Sequence, residues 1–289
     1  MLLRNSPCKI NLLLNILGRR ADGFHELETV MHPVQLCDEL AFELGGDGVT
    51  LTCSDPTLAV DASNLVHRAA TAFLKVTALN HGVRLHLEKR IPMAAGLGGG
   101  SGDAATTLLG LNELFGAPLS SAQLHELAAA LGSDVPFFLQ PRPALATGRG
   151  ERVEALVFFP CLRDVFVLLI HPGFGIATAW AYQQLAHFPA ALNGSPGRAQ
   201  RLVAQLRAGN LSAAGAEFYN SLEAPALHKY PLLALFQEFL RTNGAFATLM
   251  SGSGSTTFAL VHGTAEAAVL RTKFLARFGD THWTAVVPL

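Results

Sequence analysis

Residues 92–108 read PMAAGLGGGSGDAATTL, with five glycines (Gly96, Gly98, Gly99, Gly100 and Gly102) crowded into seven positions and alanines, threonines and a leucine directly after them. Upstream, residues 83–88 (VRLHLE) alternate apolar Val83, Leu85 and Leu87 with polar Arg84, His86 and Glu88, the period-two pattern of a strand with one buried face. Downstream, Ala104, Leu108, Leu111 and Phe115 recur at helical spacing from Asp103 onward, and Gly116 offers a stop. In the order strand, glycine loop, helix, a loop without Cβ atoms lets backbone N–H groups approach a phosphate, and the helix dipole adds positive potential. The alternative is a tight turn whose glycines merely let helix and strand pack closely.

Two common nucleotide-binding patterns do not fit. A P-loop places a lysine after its last glycine, and none of Lys9, Lys75, Lys89, Lys229 and Lys273 follows a glycine. A dinucleotide fingerprint needs G-x-G-x-x-G and an acidic residue about 20 positions on, but 98–102 reads GGGSG and the later position falls at a helix start near Ser121.

Working outward, a helix is expected over 64–79 with Leu65, Ala69, Phe73 and Val76 on one stripe. Ser120 and Gln123 form a capping-box pattern for a second helix that carries Leu124, Leu127, Ala128 and Leu131 and stops at Gly132. Residues 141–153 are dense in proline, glycine and arginine, and a strand candidate at 165–170 opens the second half. That half reads as several helices over 177–240, strands on either side of the SGSG run at 251–254, a helix over 264–278 and a last strand near 283–287. The pattern is α+β in two domains, 1–160 and 161–289. No repeat and no low-complexity segment interrupts it.

Bulk composition narrows the partner. The 289 residues are 50% hydrophobic, and 21 lysines and arginines face 22 acidic residues, for a net charge of −1. Such a chain has no electrostatic footprint for nucleic acid or an anionic membrane, so a small molecule is expected. Cys8, Cys37, Cys53 and Cys161 are scattered without a C-x-x-C pair and read as reduced thiols of a cytoplasmic protein. The N-terminus is a poor signal peptide, and no run approaches the roughly 18 uncharged apolar residues of a membrane span.

The stretch PMAAGLGGGSGDAA resembles the phosphate-binding motif of the GHMP kinases, the superfamily of galactokinase, homoserine kinase, mevalonate kinase and phosphomevalonate kinase. PCKINL (7–12), GRRADGFHELETV (18–30), GSDVPFF (132–138), TGRGE (147–151), NSLEAPAL (220–227) and the SGSG run extend the likeness over nearly the whole chain. They are similar to the branch that phosphorylates the 2-hydroxyl of 4-diphosphocytidyl-2-C-methyl-D-erythritol in non-mevalonate isoprenoid biosynthesis. The resemblance implies an N-terminal domain like the second domain of ribosomal protein S5 and a C-terminal ferredoxin-like α/β sandwich. It further implies ATP and Mg²⁺, a substrate bearing a cytidine diphosphate group, and a monomer or weak homodimer. The rivals are another GHMP small-molecule kinase, of homoserine or mevalonate type, and a non-catalytic nucleotide-binding protein.

Carried over, the resemblance makes Lys9 and Asp134 the catalytic pair. An alcohol becomes nucleophilic at neutral pH when a nearby aspartate accepts its proton, and phosphoryl transfer otherwise demands positioning and charge neutralisation. For Asp134 a helix-capping role stays open, since Ser-Asp before Val-Pro also reads as a helix start. For Lys9 a solvated surface position stays open, although a strand here sets Lys9 and Asn11 on one face. ATP falls to Pro92, Met93, Ala94, Ala95, Gly96, Leu97, Gly98, Gly99, Gly100, Ser101 and Gly102, with Asn64 and Lys89 on the adenine side. Substrate falls to Asn11 and Thr178, and cytosine to Phe24, His25 and Tyr182, where aromatic faces stack and His25 reads the polar edge. Ordinary packing is the alternative for Phe24 and Tyr182.

One departure stands out: Gly102 occupies a position where the family usually has a second serine. Ser101 then carries any hydroxyl contact to phosphate or Mg²⁺ alone, or the metal is held by ATP and water. Asp103 reads as a helix cap. The SGSG loop either tightens against substrate phosphates or is a plain hairpin turn. Neither His25-Glu26 nor His125-Glu126 has a second histidine four residues on, and no G-x-S-x-G occurs, so zinc-protease and serine-hydrolase chemistry are excluded.

Overall fold

The computed structural model describes residues 1–79, 81–140 and 142–289; Pro141, which opens the proline-dense stretch, lies outside them. Its contacts divide the chain into two compact units, one of Met1–Cys8, Leu36–Pro92 and Gly98–Pro141, the other of Lys9–Gln35, Met93–Leu97 and Arg142–Leu289. This differs from a single cut near residue 160, because two long strands and the glycine loop each contribute to both units.

The first unit begins with the start of β1 (Leu2–Arg19) and takes in the second half of β2 (His25–Leu44), then β3 (Val49–Cys53), α1 (Leu65–Thr77), β4 (Val83–Glu88), α2 (Gly99–Leu114) and α3 (Ser121–Leu131). β4 pairs antiparallel with β2 from Glu39 to Leu44 and parallel with β3. Its Val83, Leu85 and Leu87 are buried and its Arg84 and His86 exposed, as alternation predicts. Ser120 caps α3 in the expected capping box.

Two helices depart from expectation. The buried stripe of α1 is Val66, Ala69, Ala70 and Phe73, whereas Val76 is exposed. α2 starts at Gly99, four residues before Asp103, although glycine is a poor helix former. Packing decides the matter: α2 is buried from Gly102 through Leu108 and again at Gly110 and Leu111. A Cβ at Gly110 would lie 2.4 Å from the Phe42 ring, so the helix can rest on the sheet only where it has no side chain.

The second unit adds β5 (Ala144–Gly148) and β6 (Arg152–Ala155), with β5 antiparallel to β2 from Leu27 to Met31. Then follow β7 (Val165–His171), α4 (Thr178–Gln184), α5 (Pro189–Leu192), α6 (Arg198–Arg207), α7 (Leu211–Glu217), β8 (Tyr219–Asn220), α8 (Glu223–Lys229), α9 (Pro231–Thr242), β9 (Ala247–Met250), β10 (Thr257–His262), α10 (Thr264–Phe278) and β11 (Trp283–Pro288). β8 pairs parallel with β1 at Leu13 and Leu14.

β7, β9, β10 and β11 form an antiparallel sheet in the order β11-β7-β10-β9, the ferredoxin-like arrangement. Leu168, Ile170, Ala259 and Val261 pack there with Phe236 and Leu240 of α9 and Leu270 and Phe274 of α10. The α+β expectation holds, and among the described residues no helix is long and apolar enough to cross a membrane.

Candidate active site

Lys9 sits on β1 with only 3% of its surface exposed, so the surface-lysine reading is set aside. Its Nζ donates to Asn11 Oδ1 at 2.5 Å and to the Gly96 carbonyl at 2.9 Å, and its backbone N–H donates to Leu97 O at 2.9 Å. A strand's period of two puts Lys9 and Asn11 on one face. Asn11 Nδ2 in turn donates to Thr29 Oγ1 at 2.9 Å. Burying an ammonium is costly unless acceptors replace water, and here strand and loop supply them.

Residues 93–97 are held by the 251–256 segment. Ser251 Oγ donates to Gly96 O at 2.9 Å and Thr256 N to Ala95 O at 3.1 Å. Gly96 has φ +76°, and a Cβ there would lie 2.0 Å from Ser251 O, so glycine is demanded both by conformation and by contact. Ser253 Oγ meets Thr178 Oγ1 at 2.9 Å, which joins the loop to a predicted substrate residue. The SGSG run is therefore more than a hairpin turn.

In the first unit, Gly98 is the N-cap of α2 in the left-handed region and offers no side-chain cap to the first N–H groups of the helix. Ser101 is half-buried in this turn. A Cβ at Gly99 would lie 3.2 Å from Lys89 Nζ, which places that ammonium beside the helix start. Lys89 is also bound to two carboxylates, Asp38 Oδ2 and Asp103 Oδ2, the latter at 2.9 Å. Asp103 thus pairs with a buried lysine and is no helix cap.

Burial pushes the Asp103 carboxyl up to about 6 against the pull of the Lys89 charge. Burial pulls Lys89 down, but the charges of Asp103 and Asp38 outweigh it and leave its pKa above the ordinary lysine value. Asp38 also accepts Arg90 N–H at 2.6 Å and Ile91 N–H at 2.8 Å, pinning the turn that enters the glycine loop. Sequence reasoning missed Asp38. The signal was present, since it stands in the inward register of β2 with Val34, Leu40 and Phe42, where an acid requires a buried donor.

Two nucleotide candidates are occupied structurally. Asn64 caps α1, accepting Val66 N–H at 2.8 Å and donating to Ala59 O at 2.7 Å. Gly102 is buried, and a Cβ would meet Pro7 O at 2.7 Å and Ser6 Oγ at 3.1 Å. A serine at 102 would therefore crowd β1. Gly102→Ser is expected to destabilise the fold by about 1–3 kcal/mol, read as a lowered melting temperature, through overpacking. An unchanged melt would show that α2 has room at this position.

Asp134 is half-buried before the 3-10 turn Val135–Leu139, and its side chain makes no cap hydrogen bond to that turn. The capping reading is thereby set aside. In the second unit His25 and Tyr182 bring their rings to a 5.2 Å centroid distance. Burial lowers the His25 pKa, with the Arg19 charge adding to it. Phe24 is 52% exposed, and the Arg149 guanidinium, which sequence reasoning did not single out, lies 4.6 Å from its ring centroid.

For a metal, no group of three His, Cys, Asp or Glu side chains converges among the described residues. The Asp103 carboxylate nearest the glycine loop is committed to Lys89.

The GHMP kinase N-terminal domain model matches residues 64–141, and the GHMP kinase C-terminal model matches residues 202–280. A protein of Geobacter sp. (strain M21) named 4-diphosphocytidyl-2-C-methyl-D-erythritol kinase is 41% identical over 256 residues, 88% of each chain. The chain belongs to the 4-diphosphocytidyl-2-C-methyl-D-erythritol kinases.

A crystal structure of 4-(cytidine 5'-diphospho)-2C-methyl-D-erythritol kinase covers 100% of both chains with a TM-score of 0.79 at 34% identity. Homoserine kinase from Cytophaga hutchinsonii has a TM-score of 0.71 over 97% of this chain and 93% of its own, but at 21% identity it shares the fold alone. The kinase carries its glycine loop and Asp134 inside the first family match and the 251–255 loop inside the second, while Lys9, Asn11, Phe24 and His25 precede both.

Proposed function

We propose that this chain transfers the γ-phosphoryl group of ATP to the 2-hydroxyl of 4-diphosphocytidyl-2-C-methyl-D-erythritol, a step toward isoprenoid precursors. The observation that carries the reading is the buried Lys9 ammonium on the Gly96 carbonyl of the glycine loop, in a chain 41% identical to a kinase of that name. The family domains in this reading are 1–160 and 161–289, which keeps each family match inside one domain.

Phosphoryl transfer requires chiefly positioning and charge compensation. Asp134 accepts the proton of the attacking hydroxyl, and Lys9 compensates negative charge and orients that hydroxyl together with Asn11. Residues 92–102 bind the ATP phosphates, with the uncapped N–H groups at the start of α2 as donors. Mg²⁺ bound with the nucleotide supplies charge neutralisation at those phosphates, and Ser101 is the hydroxyl nearest that role. Lys89, already neutralised by Asp38 and Asp103, and Asn64, spent on the α1 cap, shape the adenine side as supporting walls.

His25, kept neutral by burial, can donate from one ring nitrogen and accept at the other, which suits the amino-pyrimidine edge of cytosine. Tyr182 and Phe24 offer faces for stacking, and Thr178 faces the substrate phosphates. Tyr182→Ala is expected to raise KM for the cytidine substrate about tenfold or more, the scale of one lost base stack, with KM for ATP unchanged. Equal rises in both constants would remove Tyr182 from the cytidine subsite.

The deciding experiment measures ADP release by purified protein offered the cytidine diphosphate substrate, mevalonate and homoserine in separate reactions. Turnover with the first alone is expected; none with it, or faster turnover with another, overturns the assignment. The four cysteines are free thiols, which fits work in the cytoplasm. Sedimentation is expected to show a monomer or weak homodimer.

A further inference from the structure

We infer that Asn220 and Ser251 are positioning residues for Lys9, acting through the main-chain carbonyl of Gly96; the inference rests on Lys9 being the catalytic lysine of the proposed reaction. Asn220 is 1% exposed, at the end of β8, where its register partner is Leu14 of β1. Its Nδ2 donates to Met250 O and to Gly252 O, both at 2.7 Å, and its Oδ1 accepts Leu222 N–H at 2.9 Å. A single amide therefore grips the chain on both sides of Ser251 and has both its donor and acceptor ends engaged.

Ser251 passes that constraint on. Its Oγ donates to Gly96 O at 2.9 Å, the same oxygen that accepts Lys9 Nζ at 2.9 Å. A carbonyl oxygen has two lone pairs, so these two donors fill it and fix its direction. Thr256 N–H holds the preceding Ala95 O at 3.1 Å. A Cβ at Gly252 would lie 3.0 Å from both Lys9 Nζ and Gly96 O, so the loop backbone comes against the ammonium itself.

The need for such a device follows from the lysine. Its four-carbon stem is flexible and its ammonium is a point charge, so direction must come from its acceptors. One acceptor is Asn11 Oδ1 on its own strand at 2.5 Å. A second is the Gly96 carbonyl in the glycine loop, at a φ of +76° that glycine adopts without strain. Without the Ser251 hydroxyl that carbonyl keeps one of its two donors, and the ammonium rests on a less constrained oxygen.

The test compares Ser251→Ala, Asn220→Asp and Lys9→Ala full-length proteins with wild type. The readouts are kcat, KM for ATP and KM for 4-diphosphocytidyl-2-C-methyl-D-erythritol by ADP release, with thermal melts alongside. Ser251→Ala removes one donor to Gly96 O and is expected to lower kcat about 10- to 100-fold, the scale of a small misplacement, with both KM values and the melting temperature held. Asn220→Asp keeps the side-chain shape and the bond from Leu222 N–H while losing both donors, and is expected to lower kcat in the same way. Should it fail to fold, Ser251→Ala carries the test. A wild-type kcat in Ser251→Ala, or a loss expressed in KM alone, overturns the positioning role. Lys9→Ala turning over at the wild-type rate overturns the assignment of Lys9 itself, whereas an inactive Lys9→Ala beside a fully active Ser251→Ala overturns this inference alone.

Discussion

Asp134→Ala is expected to lower kcat by about 10²- to 10⁴-fold, the contribution of a positioned general base, while KM for ATP and the melting temperature stay at wild-type values. The stability half of that expectation comes from the local structure. The Asp134 carboxylate does not cap the turn that follows it. What holds that turn is the burial of Val135, Pro136, Phe137 and Phe138, with Val135 N–H donating to Gly132 O at 3.2 Å. Kinetics and melts on the same preparation decide the question. A kcat within a few-fold of wild type would remove the aspartate from the chemistry. A large fall in melting temperature would return it to a structural role.

Glu223→Gln is expected to stabilise the protein in a strongly pH-dependent way. Glu223 is half-buried at the start of α8, where its Oε1 accepts Met250 N–H at 2.6 Å and Gln237 Nε2–H at 2.7 Å. Burial pushes its pKa from 4.5 up to about 7, although those two hydrogen bonds and the Arg241 charge pull the other way. A carboxyl whose folded pKa exceeds its unfolded value favours folding while it is protonated. That contribution is complete below pH 4.5 and is lost as pH rises through about 7. The shift corresponds to about 3 kcal/mol.

Because both bonds end on one oxygen, the amide oxygen of glutamine can accept both, and the ionisation disappears. Urea denaturation at pH 8 is expected to find the variant more stable by up to about 3 kcal/mol, with the difference vanishing near pH 4. Parallel pH profiles for the two proteins would show that the carboxyl ionises without cost.

Much of the architecture was legible because it is written in short-range patterns. The alternation of 83–88, the capping box at Ser120 and Gln123, and the helix Thr264–Phe278 with its Gly279 stop all depend on residues a few positions apart. The long strands β1 and β2 were harder to see. Residues 8–14 of β1 are buried on both faces, and although Lys9 and Asn11 alternate with Ile10 and Leu12, no short-range pattern sets how far the strand runs. The start of α2 was misread for the opposite reason: local propensity places Gly99 and Gly100 in a loop, and packing overrides it.

The same division runs through the site. From the sequence alone came the strand, glycine loop and helix order around 92–108, the expectation that this loop binds phosphate, and the shared face of Lys9 and Asn11. The tertiary structure alone decided that Lys9 is buried on a carbonyl 87 positions away and that Ser251 reaches the same carbonyl from 155 positions away. It also decided that Lys89 and Asp103 neutralise each other with Asp38, and that Gly102 is a packing glycine against Pro7. Periodicity and capping report a residue's near neighbours, whereas burial, ion pairing and the room for a Cβ depend on which distant segments the fold brings into contact.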